Sequence, residues 1–525
     1  MGNESKKNTN SDALVSLQKV AKGSFILFIG ITLNILLIFI GRLIILRYWT
    51  INDYGIYSLG VAILSILSIL GSLGLRQGVI RSISYSRGKN QLNKIPELIT
   101  ISLFFSVTTS ILVGVFLFLF SDLIAIRLFH ESALVPVLKI FAIGLPIFTF
   151  IDIAVSIFRG FDDVKPTAIF KFILIEAIFP VLVAFIALTS HSFIYVFYAY
   201  VVSIAITCIA LIIYVTRQVS LLKIFSLQSV VSSSAKELLI FSLPLLGSTI
   251  LSQLIFWTDT FMLGGLKTSV EVGLYNAVTP LAQFIFFPLL ILIYIYVPIV
   301  TGLYATQKHL EIKRTYVILT KWIFISTLPL FLIIFLFSEE IIGFFFGNAY
   351  LPSINTLKIL SLGYLIYSLF GLNESTILAF GKSKFLMLTS FLGVILNVIL
   401  NAMLIPFLNI EGAAIASISS LIFINIVRCV KLYTMTGVHP FSKNLAKPAI
   451  GSLFVVFSLY LLYSHYFSFK IWMIPIIFIL LYIVFAVFVL ITKSLDKEDL
   501  DILEILRKKT GFKFTFVERL ISKFL

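Results

Sequence analysis

The chain has 525 residues, of which 59% are hydrophobic and only 12% charged, and its mean hydropathy is +1.08. Soluble proteins carry about 25% charged residues, so this is an integral membrane protein with many spans. The net charge of +16 reads as basic cytoplasmic loops, with no call for a nucleic-acid partner, and Cys208 and Cys429 lie inside apolar runs, which leaves no disulfide framework or zinc site.

Residues 1–21 are polar, carry Lys6, Lys7 and Lys19, and form a cytoplasmic N-terminal segment. A helix needs about 20 apolar residues to cross the hydrocarbon core, and backbone in contact with lipid must satisfy its own hydrogen bonds. On that basis we predict an all-α polytopic protein with fourteen transmembrane helices. Six, at 22–46, 56–80, 97–120, 134–158, 167–189 and 192–216, form an N-lobe over residues 22–216. Residues 217–238 are basic and mildly apolar, as expected of a linker along the inner leaflet. Six more, at 239–264, 273–300, 317–338, 354–379, 384–405 and 412–434, form a C-lobe over 239–434. Residues 435–492 hold two extra helices, 447–466 and 471–491, and 493–525 is a cytoplasmic, basic, amphipathic tail. Arginine and lysine gather on alternate loops, among them Arg81, Arg87, Lys89 and Lys94, then Lys308, Lys313 and Arg314. Both termini are therefore predicted to be cytoplasmic, in a cell membrane.

The halves echo each other. Tyr54-Gly55-Ile56-Tyr57 has its counterpart in Glu271-Val272-Gly273-Leu274-Tyr275, and Leu138-Lys139-Ile140 with Gly144 returns as Leu357-Lys358-Ile359 with Gly363. Arg159-Gly160 returns as Gly381-Lys382. The offset stays near 220 residues throughout, as in transporters built from internal repeats.

An ionisable group inside a span costs about 2.5–3.5 kcal/mol on insertion scales, so each such group is a candidate site. Arg42 and Asp259 occupy nearly equivalent places on the first helix of each half, about 6–8 Å from its outer end. They either serve a cleft, where they could pair, or snorkel to headgroups. Gln253 and Trp257 precede Asp259 on the same helix, and Trp257 also suits an interfacial anchor. Asp152 and Glu374 are repeat-equivalent acids near inner helix ends, at a depth similar to Arg76 and Arg159. They fit either a gate or static salt bridges. Glu176, the most deeply placed acid, corresponds to Asn397, with Asn401 one turn on. It fits proton or sodium coupling, or a hydrogen-bonded helix contact. Lys171 is expected to snorkel. No nucleotide-binding loop, zinc-protease motif or nucleophile elbow is present, so no enzymatic activity and no cofactor is expected.

Arg42, Asp53-Tyr54-Gly55-Ile56-Tyr57, Leu73-Gly74-Leu75-Arg76, Trp257-Thr258-Asp259 and Glu271-Val272-Gly273-Leu274-Tyr275 together resemble the polysaccharide-transporter flippases of the multidrug/oligosaccharidyl-lipid/polysaccharide exporter superfamily. The resemblance covers about residues 15–435. It implies two six-helix lobes in a V, working by alternating access to move lipid-linked glycans between leaflets. A polyprenyl phosphate or pyrophosphate glycan is anionic, which suits Arg42, Arg76 and Arg159 as substrate-binding residues. Gln253 and Trp257 join that set. Asp259, Glu176, Asp152, Glu374 and Asn397 are the candidates for coupling to H+ or Na+ or for gating. The other partners expected are membrane lipids, and the protein is expected to be a monomer. The alternative is a proton- or sodium-coupled multidrug or organic-cation antiporter of the same fold, against which Arg42 counts.

Overall fold

The computed structural model describes residues 26–27, 29–189, 191–218 and 232–439, with the single positions 479, 480, 482, 483 and 487. The N-terminal segment, most of the linker, the two extra C-terminal spans and the tail lie outside the described residues.

Among the described residues, eleven helices are long and apolar enough to cross a membrane. The first unit, Met1–Asn276, begins with α1 (Ile29–Tyr48). It continues through α2 (Ile51–Ser72), α3 (Leu75–Gly88), α4 (Ile95–Leu119) and α5 (Leu134–Gly160). A π-helical segment, Thr167–Leu174, leads into α6 (Ile175–Leu188), followed by α7 (Ile194–Gln218) and α8 (Ser233–Leu266). The cut to the second unit, Ala277–Leu525, falls inside α9 (Ser269–Gln283). That unit holds α10 (Phe287–Ala305), α11 (His309–Leu336), the short α12 (Ser338–Phe345), α13 (Ile354–Phe370), α14 (Leu372–Ala379) and α15 (Ser383–Thr436). The stretch α15 is two helices, matching the spans expected at 384–405 and 412–434, parted at Asn409, which leaves the helical region (φ 48, ψ −126).

Several predicted spans are interrupted. The run expected at 56–80 is two helices, α2 and α3, because Leu73 (φ 51) and Gly74 (φ 70) both turn left-handed between them. Gly74 is required there twice over. Its backbone favours glycine, and a side chain would meet the backbone of α8 at Ser242 and Leu246. The run expected at 273–300 changes pitch through a 3-10 turn, Phe284–Phe286. The run at 354–379 is parted at Gly371 into α13 and α14.

Packing explains which face of each helix is buried. In the first unit Leu75, Val79 and Ile83 of α3 meet Leu98 and Ile101 of α4, Ile153 and Ile157 of α5, and Leu238 of α8. A neighbouring cluster joins Ile151 and Val155 of α5 to Phe170 and Ile175, and to Ile204 and Leu211 of α7. In the second unit Tyr296, Tyr316, Leu319 and Ile323 pack with Leu372, Ile377 and Leu432. The outer faces remain apolar, with Leu112, Phe116 and Leu119 on α4, Ile209 and Ile213 on α7, and Leu388, Phe391 and Met403 on α15 exposed. Patches of this extent would aggregate in water, and hydrocarbon solvates them.

The stretches that echo each other in sequence begin two helices in the same manner. Thr50 and Asp53 form a capping box at the start of α2, with Asp53 N donating to Thr50 Oγ1 (3.2 Å) and Thr50 N to Asp53 Oδ2 (3.1 Å). At the start of α9, Thr268 N donates to Glu271 Oε2 (3.1 Å) and Val270 N to Thr268 Oγ1 (3.2 Å). Each cap satisfies orphan amides at a helix start. The two starts also touch reciprocally: a side chain on Gly55 would strike the Ser269 carbonyl, and one on Gly273 the Ile51 carbonyl.

Candidate functional site

α1 and the chain that becomes α6 run side by side in the same direction. Gly30 faces Ala168, Asn34 Nδ2 donates to Phe172 O (2.9 Å), and Gly41 faces Phe179 and Pro180. The pairing keeps one register throughout, so the level of Arg42 on α6 is that of Pro180, one turn beyond Glu176. Helical side chains lean towards their own N-terminus, and one turn is about 5.4 Å. Arg42 therefore leans back towards Glu176, and the two charges interact. Asn34 supplies its donor to a carbonyl within the π segment, an element that often marks functional stretches.

The surroundings of this pair are aromatic. Tyr57 of α2 stacks on Phe179 of α6 (centroids 6.3 Å, interplanar 9°), and Tyr200 of α7 meets Phe179 edge-on (5.4 Å, 89°). The Arg42 charge also reaches Tyr54 and Tyr57, and the Glu176 charge reaches Tyr57 and Tyr200. Arg42 Nε is buried and has no hydrogen-bond partner among the described residues. Glu176 is half-buried. Buried donors are ordinarily satisfied, so an unmet guanidinium nitrogen beside a carboxylate, within an aromatic wall, stands out from the rest of the packing.

Asp259 lies on α8, 4% exposed, and accepts a hydrogen bond from Tyr275 Oη of α9 (2.6 Å). Next to it Thr260 Oγ1 donates to Asn276 Oδ1 (3.1 Å), and Tyr54 Oη donates to Asn276 O (3.3 Å). Among the described residues no ion pair joins Arg42 to Asp259, a pairing that was one of the arrangements their similar depth allowed. Their surroundings differ, tyrosines and Glu176 for one and the Tyr275 phenol for the other. Trp257 is buried rather than facing outward, with Nε1 lacking an acceptor among the described residues. Gln253 is half-buried one turn before Trp257 on α8.

Asp152 of α5 is bonded to Lys171 and lies 3.6 Å from Arg76 of α3. Lys171 therefore does not snorkel; it turns inward because a carboxylate at its level offers a better partner than headgroup water. Arg159, exposed at the end of α5, adds its charge to Lys171. The group holds three cations around one acid. In the second unit Glu374 of α14 meets Arg428 of α15 at 2.5 Å, and Arg428 also donates to Thr389 Oγ1 (3.1 Å) and Ser390 Oγ (2.9 Å). Asn397 is buried and accepts from Asn401 Nδ2 (3.2 Å).

Sequence reading placed the acids but missed most of their partners. Lys171 is 19 positions from Asp152 and Arg428 is 54 from Glu374, and no local spacing links such groups. Lys321 of α11, 3% exposed, escaped notice although it interrupts an apolar run, which was the available signal. Tyr57 and Tyr275 stood out in the sequence only as parts of the repeated motif, and Tyr200 did not stand out at all.

The sequence profile of a family described as "Polysaccharide biosynthesis protein" matches residues 20–304. That is more than half of the chain. The chain belongs to the polysaccharide biosynthesis protein family. A second profile, MatE, matches residues 244–403. No curated protein sequence matches this polysaccharide biosynthesis family member. Solved structures do share its fold. A lipid II flippase MurJ in an inward closed conformation superposes with a TM-score of 0.71 at 15% identity, over 88% of this chain and 97% of that one. An inward-facing multidrug resistance MATE family transporter of the MOP superfamily gives 0.67 at 15% identity, over 80% and 98%. A MOP superfamily transporter from Pyrococcus furiosus, described as having a binding pocket of reverse polarity, gives 0.55 at 14% identity, over 80% and 95%. The protein is thus a multi-pass membrane protein with the fold of flippases and MATE transporters.

Proposed function

We propose that this family member is a flippase that carries an anionic, lipid-linked oligosaccharide across the cytoplasmic membrane by alternating access. The carrier is a polyprenyl phosphate or pyrophosphate, and the product serves surface glycan synthesis. The observation that carries this reading is the buried Nε of Arg42, unmet among the described residues, with its charge reaching Tyr54 and Tyr57. A guanidinium binds phosphate through short, charge-assisted hydrogen bonds, and ring faces suit sugars or an isoprenoid. Arg76 and Arg159, with Lys171, give a surplus of positive charge where the headgroup is proposed to enter from the inner side. Gln253 and Trp257 are proposed as further headgroup contacts. Asp259, Glu176, Asp152, Glu374 and Asn397 are proposed for coupling or for holding the helix ends. In this reading both termini are cytoplasmic, the repeats are two six-helix lobes, and the monomer is the working unit.

A MatE profile match over 244–403 favours a second reading, an H+- or Na+-coupled exporter of organic cations. Reconstituting the full chain in proteoliposomes separates the two. Translocation of a fluorescent polyprenyl-pyrophosphate glycan, with no gradient-driven efflux of ethidium, is the expected result. Ethidium efflux without glycan-lipid movement would replace the flippase reading with the antiporter.

A further inference from the structure

We propose that Glu176 is an internal stand-in for the substrate phosphate: in the empty protein it is the counter-charge of Arg42, and an arriving anionic headgroup displaces it, whereupon its carboxylate takes up one proton from water. The proposal rests on the lipid-linked anion reading and adds to it a residue that sets how substrate binding responds to pH.

The register of α1 against α6 is the first support. From Gly30 facing Ala168 to Gly41 facing Phe179 the helices stay in step, so Arg42 leans onto the level of Glu176 and not past it. The second is the state of the two groups. Among the described residues Arg42 Nε is buried with no acceptor and no hydrogen bond or salt bridge engages the Glu176 carboxylate, although the two charges interact. The pair is near enough to compensate and not locked by hydrogen bonds, unlike Glu374 with Arg428 at 2.5 Å. An arginine held that loosely is free to exchange one oxyanion for another.

The surroundings decide what Glu176 does once displaced. From α1 it is faced by Arg42, from α2 by Tyr57 with Tyr54 behind it, and from α7 by Tyr200. Lys171, on the π segment of its own helix, is held by Asp152. Phe179 and Phe197 complete the wall around Tyr57. No second cation faces Glu176 in this set. With a phosphate oxyanion on Arg42, a carboxylate beside it has lost its counter-charge and gained a like charge in an aromatic setting. Such a group neutralises by protonation. The charges balance: an Arg42 cation with a Glu176 anion becomes an Arg42 cation with a phosphate anion and a neutral Glu176 carboxyl, the proton coming from solvent.

The test uses the full chain in nanodiscs of neutral lipid, with farnesyl pyrophosphate as probe. Calorimetric titration in buffers of different ionisation enthalpy counts the protons taken up on binding. Wild type is expected to take up one proton more than Glu176→Gln, a difference from which the probe's own ionisation cancels. Above the range where Glu176 protonates, wild-type affinity should fall by up to about tenfold per unit of pH relative to Glu176→Gln. Glu176→Asp should restore the proton, and Arg42→Ala should lose binding. Equal proton counts for wild type and Glu176→Gln would overturn the exchange while leaving the flippase reading in place. So would weak binding by Glu176→Gln at every pH, since the glutamate would then be a direct ligand. Failure of wild type to bind the probe at all would remove the lipid-pyrophosphate reading, and this proposal with it.

Discussion

At the scale of single residues, burial decides which member of an ion pair can be removed. The Arg428 side chain is 6% exposed and the Glu374 side chain 52%. Taking away Glu374 leaves a guanidinium buried with only Thr389 and Ser390 as partners among the described residues, and stranding a buried charge costs about 3–5 kcal/mol. Taking away Arg428 leaves a carboxylate that is half-exposed, near an inner helix end, where the loss is about 1 kcal/mol. Glu374→Ala should therefore lower the unfolding temperature in detergent clearly more than Arg428→Met does. Equal losses would mean that the guanidinium reaches solvent or another acceptor once its partner is gone. Neither this pair nor the bond from Lys171 to Asp152 was legible beforehand, because a sequence shows that a charge is buried but not which distant helix answers it.

At the scale of elements, hydropathy predicted length and number well and continuity badly. All twelve spans expected between residues 22 and 434 have a counterpart among the described residues, including the pair inside α15. The breaks at Leu73–Gly74 and at Phe284–Phe286 were invisible, since an apolar run looks the same whether its φ angles are helical or left-handed. Gly74 is left-handed where α3 packs closely on α8, a tertiary cause. The paired starts of α2 and α9 were half legible: the motif was seen, but not that Gly55 and Gly273 each press on the other helix's first residue. Gly55→Val or Gly273→Val must force these helix starts apart, and overpacking of this kind costs about 1–3 kcal/mol. Gly302, inside α10, has nothing near the place of a side chain, and alanine there should be neutral or stabilise by up to about 1 kcal/mol. Thermal unfolding of the three variants checks the contrast. Tolerance of valine at both crossing positions would mean that α2 and α9 do not meet this closely.

At the scale of the whole molecule, composition alone established a membrane protein, and the family follows from a profile spanning residues 20–304. The fold is that of flippases and MATE transporters alike, so it does not choose a cargo. The choice rests on the sign of charge at one site. Arg42 was legible in the sequence because an arginine inside an apolar run is rare and costly. Its aromatic wall and its neighbour Glu176 were not, because they come from α2, α6 and α7. A lipid-linked glycan as cargo therefore requires that Arg42 bind its phosphate. The most direct measurement is translocation of a fluorescent polyprenyl-pyrophosphate glycan in proteoliposomes, comparing wild type with Arg42→Ala at matched, folded protein levels. Translocation by wild type and a loss of tenfold or more in Arg42→Ala, about 1.4 kcal/mol or more of lost stabilisation, is the predicted result. Undiminished translocation by Arg42→Ala would contradict it.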